Sequence, residues 1–189
     1  MRRWTFVGLS ILAAALPAPA QVFTPTFQSP FKRSDLGVYL SSGPGDFAVE
    51  GVLRRNFGGY GLGARVGLAD VGNAALIAGI EFTTPLTTVA PLEVNALAGA
   101  QAVLGDHTGV GAHGGAGLGA RLPFSNFALV PYGNVRIGLV DPIGPGDADL
   151  DLLADLGVDV EFTRGFVLRI GFGLGDPTAA WGVGFAVRR

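Results

Sequence analysis

Cysteine is absent from this chain, lysine occurs once, at Lys32, and methionine only at its start. Without cysteine there can be no disulfide, no thiol catalysis and no cysteine metal site. The scarcity of lysine argues against a conventional soluble exterior. A net charge of −2 gives no basic footprint for nucleic acid. Nearly half of the residues are hydrophobic (49%), yet beyond the first twenty positions no run is long and apolar enough for a transmembrane helix.

The beginning of the chain reads as a secretory signal. Arg2 and Arg3 precede an apolar run from Trp4 to Leu16, and Pro17-Ala18-Pro19-Ala20 supplies small residues for cleavage after Ala20. The expected organisation is a signal peptide over 1–20, a periplasmic tail over 21–34 and a barrel over 35–189. The tail, with Pro25, Pro30, Phe23, Phe27 and Phe31, shows no alternation and is expected to hang free or tuck against a barrel mouth. The mature part, about 169 residues, fits one domain.

What the chain does contain is alternation with a period of two. In 166–174 the even positions are Phe166, Leu168, Ile170, Phe172 and Leu174, and the odd ones Val167, Arg169, Gly171 and Gly173. After a turn at Gly175-Asp176-Pro177, Trp181, Val183, Phe185 and Val187 alternate with Gly182, Gly184, Ala186 and Arg188. Such a hairpin has one apolar face. The other face is glycine and alanine with isolated charges, which suits a narrow lumen, so the apolar face is assigned to lipid.

The same pattern predicts ten antiparallel strands, at 35–40, 47–57, 60–68, 74–82, 92–104, 110–122, 127–139, 152–162, 166–174 and 179–187, with eight as the alternative because 83–91 reads as an irregular link. The fold class is an all-β up-and-down transmembrane barrel. Its turns fall into two sets. One set carries Asp46, Asp70, Asp106, Asp141, Asp147, Asp149, Asp151 and Asp176 without Lys or Arg; the other is flanked by Arg54, Arg55, Arg188 and Arg189. Phe57, Tyr60, Phe82, Phe124, Phe127, Phe162, Phe166 and Phe185 gather at the basic end on the lipid-facing register, as an interfacial girdle would. Phe47, Phe172 and Trp181 are candidates for the opposite girdle. With both termini at the basic end, that end is expected in the periplasm, and the acidic turns, above all 141–151, outside.

In these respects the chain resembles the small outer-membrane β-barrel family that includes the OmpA transmembrane domain and OmpX-like proteins. The resemblance covers 35–189 and is one of architecture. Its most specific element is the last strand, where Gly182, Phe185 and Val187 match the Gly-x-x-apolar-x-apolar signal read by the family's outer-membrane assembly machinery, although Arg188-Arg189 follow in place of a closing aromatic residue. The resemblance implies lipid and that machinery as partners.

The lumen register holds Glu50, Arg54, Arg65, Glu81, Glu93, Arg121, Arg136, Asp155, Asp159, Glu161 and Arg169. Buried charges must be paired. A structural network of Arg–carboxylate pairs is the leading expectation, in a monomeric barrel with a structural or surface role; a narrow water-filled pore is the alternative. A barrel enzyme ranks third. His107 beside Asp106 and His113 in the lumen register are the residues it could use, with few serines near either, so no catalytic residue is assigned. Asp147, Asp149 and Asp151 make the acidic outer loops a candidate site for divalent cations, without the spacing of a calcium-binding loop. No cofactor and no specific metal ligand set is expected.

Overall fold

The computed structural model describes residues 25–31, 33–106, 108–140, 147–174 and 180–189. The expected signal peptide, Lys32, His107, residues 141–146 of the longest acidic turn and the 175–179 turn lie outside the described residues.

The strands are β1 (Asp35–Ser41), β2 (Phe47–Asn56), β3 (Gly61–Asp70), β4 (Ala74–Val89), β5 (Leu92–Leu104), β6 (Gly109–Ala120), β7 (Leu122–Pro123), β8 (Phe127–Val140), β9 (Asp149–Phe162), β10 (Phe166–Leu174) and β11 (Ala180–Arg188). Successive strands pair antiparallel, and β7 is a two-residue continuation of β6 past Arg121, both lying against β8. The wall therefore has ten strands, and the eight-strand alternative does not hold. Pairing of β1 with β11, from Asp35↔Arg188 to Ser41↔Gly182, closes it. Closure leaves no open edge, which is how a sheet satisfies its backbone without water. No helix is present among the described residues.

One connection differs from expectation. The 83–91 link is mostly strand: β4 runs on to Val89 and pairs with β5 down to Val89↔Leu92. The register slips between Pro85 and Thr87, leaving Leu86 unpaired and 61% exposed. Proline has no N–H for the ladder, so a bulge there is its natural place in a strand. The bulge also breaks the alternation that marks a strand in sequence.

Polarity is inverted relative to a soluble sandwich. Outward positions carry Val38, Leu68, Ile80, Ile137, Leu156 and Phe185, all more than half exposed. Inward positions carry Asp35, Glu50, Arg136, Asp159 and Arg169, each at most 3% exposed. At the basic end the outward aromatics form stacked pairs: Phe57 with Tyr60 at 5.3 Å, Tyr60 with Phe82 at 6.1 Å, Phe124 with Phe127 at 4.8 Å and Phe166 with Phe185 at 5.5 Å between centroids. Phe162 faces outward in the same band and pairs across the ladder with Phe127. At the acidic end Phe172 and Trp181 are cross-strand partners, with Phe47 outward on β2.

Candidate functional site: the filled lumen

Three layers fill the barrel, and side-chain size and charge set each one. Nearest the acidic end, inward-facing Ala48, Ala69, Ala75, Ile77, Val103 and Leu153, from β2, β3, β4, β5 and β9, pack into one buried cluster, with Val71 against it. The β1–β2 turn folds over this layer. Its Gly43 and Pro44 are buried, Asp46 donates its N–H to the Asp70 carbonyl at 2.9 Å, and Gly45 sits at φ +77° where a Cβ would strike Asp70. Sequence reading missed this layer because strand parity here puts apolar residues on both faces.

The middle layer is charged. Arg65 makes a two-point contact with Glu50 (Nε to Oε2 at 2.8 Å, Nη2 to Oε1 at 3.0 Å), the fork geometry that suits guanidinium to carboxylate. Arg54 grips Glu81 the same way, at 2.8 and 3.1 Å, and a second contact at 3.7 Å joins Arg65 to Glu81. Arg169 donates to Asp159 at 3.1 Å, to Asp35 at 2.6 Å and to the Tyr39 hydroxyl. Tyr39 also accepts from Arg54 at 2.9 Å, so one phenol links the two arginines. Its ring lies against Gly184, where a Cβ would collide with Cδ1 and Cε1. Arg136, on β8, donates to Asp155 at 3.0 Å.

Of the eleven expected lumen charges, Glu50, Arg65, Glu81, Arg136, Asp155, Asp159, Glu161 and Arg169 are buried and Arg54 is partly so. Glu93 is half-buried and Arg121 exposed, both near the basic mouth. Asp35 and Arg33 belong to the same constellation and were not among those expected. Asp35 shares the parity of Gly37 and Tyr39 on β1, a signal that could have placed it. Nothing periodic marks Arg33.

The third layer is the segment preceding β1. Of residues 21–34, expected as a periplasmic tail or a flap at the mouth, the described ones, 25–31 and 33–34, instead run inside the barrel. Thr26, Phe27 and Gln28 are 1–2% exposed. Thr26 Oγ1 donates to Asp155 at 2.8 Å, the Thr26 carbonyl accepts from Arg54 at 3.3 Å, and the Gln28 carbonyl accepts from Asn134 at 3.0 Å. Phe27 packs on Tyr39 with centroids 4.8 Å apart. The wall is shaped to admit it: a Cβ at Gly182 would lie 2.3 Å from the Phe27 ring, and one at Gly119 2.5 Å from Pro30. Arg33 then contacts Asp159 at 3.5 Å and pairs closely with Glu161. Contacts thus run continuously from Glu50 to the rim, through Arg65, Glu81, Arg54, Tyr39, Arg169, Asp159, Arg33 and Glu161.

Of the residues weighed for a barrel enzyme, His107 lies outside the described residues. His113 faces the lumen on β6 against Gly99, and 7% of it is exposed. Ser41 donates to the Gly43 carbonyl and Ser42 exchanges hydrogen bonds with the Trp181 backbone, both at the acidic rim. Asp147 and Asp149 are exposed, and among the described residues no three acidic or histidine side chains converge as metal ligands would.

No protein-family model matches the sequence, and none of the curated proteins does. Among solved structures, the β domain of the Bordetella autotransporter BrkA superposes with a TM-score of 0.57 at 13% identity, over 81% of this chain and 75% of that one. The KdgM porin, alone and in complex with disordered oligogalacturonate, gives TM-scores of 0.43 and 0.45 at 8% and 10% identity, over 81% and 82% of this chain and 98% and 97% of those. The likeness to the autotransporter domain is one of fold. It defines the class, a closed antiparallel barrel of the outer-membrane type, and does not single out the OmpA/OmpX-like group.

Proposed function

We propose that this chain is an integral outer-membrane protein whose barrel is closed to solutes and serves a structural or surface role. Lipid surrounds the apolar band, the acidic turns face outward, and the basic end lies in the periplasm. Export through a cleaved 1–20 signal, insertion by the outer-membrane assembly machinery through Gly182, Phe185 and Val187, and a monomeric state belong to the same proposal.

The observation that carries it is a lumen obstructed twice, by the apolar layer around Ile77 and Leu153 and by residues 25–31 with Arg33. A cavity of about 30 Å³ between the segment and β2–β4, lined by Gln28, Arg54 and Glu81, has room for about one or two waters. A conducting path needs more than that. A narrow pore is the second reading, favoured by the charged wall that would line the channel if the segment were withdrawn.

Planar-bilayer conductance separates the two. The intact mature barrel should insert without current steps. Deleting residues 21–33, or replacing Ile77 and Leu153 by glycine, should each leave one obstruction; combining them should open a salt-dependent channel. Steady conductance by the intact protein would refute the closed reading.

A further inference from the structure

The basic mouth of the barrel is an open vestibule of about 610 Å³, floored by Phe31 and Arg33 of the internal segment. That volume lies within the range of roughly 300–1,000 Å³ typical of small-molecule sites. Its charges are unequal: Arg33, Arg121, Arg188 and Arg189 stand against Glu93 and Glu161. Glu161 lies deep, its side chain 1% exposed, and meets three guanidinium groups: Arg33, Arg121 at 3.2 Å and Arg188 at 3.6 Å. Arg121 and Arg188 line the vestibule with side chains 47% and 31% exposed. Each guanidinium carries about five donors, so one carboxylate leaves most of them for another acceptor. Arg188 also donates to the Phe162 carbonyl at 2.6 Å.

We propose that this vestibule binds a soluble multivalent anion, one carrying two or more carboxylate or phosphate groups, from the compartment at the basic end. Guanidinium forks pair two-point with either group, and two partly exposed arginines, Arg121 and Arg188, converging on one Glu161 oxygen favour a ligand with more than one negative charge. Carboxylate- and phosphate-bearing compounds share this chemistry, and so do anionic lipid headgroups. Strand parity decides against lipid: Arg121, Glu161 and Arg188 all share the inward register, while their neighbours Leu122, Phe162 and Val187 face out. A headgroup would have to leave the bilayer and cross the rim.

Titration calorimetry on the refolded full-length mature barrel in zwitterionic detergent at low ionic strength tests this, with pyrophosphate and propane-1,2,3-tricarboxylate as soluble probes and short-chain phosphatidylglycerol as the lipid arm. The expected result is saturable one-to-one binding of at least one soluble probe, weakened at least about tenfold in the Arg121→Ala/Arg188→Ala double variant, since charge-assisted two-point contacts are lost. That variant retains the Arg33–Glu161 pair, and heat-resistant migration on gels confirms its fold; Arg121→Gln alone, expected to weaken binding in the same direction, serves if it does not fold. Absence of saturable binding, affinity unchanged in the folded variant, or binding of the lipid without either soluble probe would overturn the proposal.

Discussion

Replacing Arg169 by alanine is the sharpest probe of the lumen. Its guanidinium is 2% exposed and joins Asp159, Asp35 and Tyr39. Both aspartates have side chains at 0% exposure. Once Arg169 is gone, the remaining cation contacts among the described residues are Arg54 at 3.9 Å from Asp35 and Arg33 at 3.5 Å from Asp159, each longer than the contact Arg169 makes with the same carboxylate. Breaking a buried pair from one side typically costs about 3–5 kcal/mol, because a charge is left buried without its partner. Arg121→Ala is the matched control, since its side chain is 47% exposed and Glu161 keeps Arg33 and Arg188. That pair is screened by solvent, so its loss should cost at most about 1 kcal/mol. Equilibrium urea unfolding in detergent micelles, followed by Trp181 fluorescence, measures both. Adding Asp159→Asn to Arg169→Ala should recover part of the loss, since one stranded charge is removed. The reasoning fails if Arg169→Ala falls within about 1 kcal/mol of the parent, or if the exposed Arg121 proves equally costly.

Gly182→Val should push the internal segment out of place, because the new side chain would occupy the position of the Phe27 ring. A Gln28→Cys thiol, unique in a chain without cysteine, should then react with a soluble reagent that does not reach it in the Gly182 background. Val66, 58% exposed on the outer face and midway along β3, tests the lipid assignment: arginine there should cost about 2–4 kcal/mol in a bilayer. The same substitution on a water-facing surface should change stability by only about 0.5 kcal/mol either way, so a small effect in bilayers would contradict the assignment. Gly45→Val should loosen the outer turn through its positive φ and its clash with the Asp70 carbonyl, and raise hydrogen exchange at Asp46.

Wall and lumen differ in how openly the sequence displays them. Strand existence was legible because alternation is local: the expected 92–104 and 166–174 coincide with β5 and β10. The 83–91 stretch was not, since Pro85 and the bulge after it destroy parity where pairing persists. Parity also placed Glu50, Arg65, Asp155 and Arg169 on the inner face, though it cannot say which acid meets which base. The Arg54 and Glu81 pair joins strands two apart around the wall, a closeness that depends on side-chain length across the lumen. Least legible was the segment before β1. Burial of an aperiodic stretch depends wholly on the shape of its receptacle, and the glycines that form that receptacle lie on strands about ninety to one hundred and fifty residues further along.

That separation constrains how the molecule can be built. Thr26 and Asp155 are 129 positions apart, and Tyr39 and Arg169 130. The first residues of the barrel region can meet Tyr39 and Arg54 early, but the rest of their docking surface is missing until the last strands exist. Contacts of such long range form late, after a large loop has been closed. In the finished barrel the final hairpin lies against the segment that precedes β1, beside the seam between first and last strands. The interior is thus furnished from the segment that precedes β1, and a barrel that closed without it would have to admit it afterwards through the basic mouth.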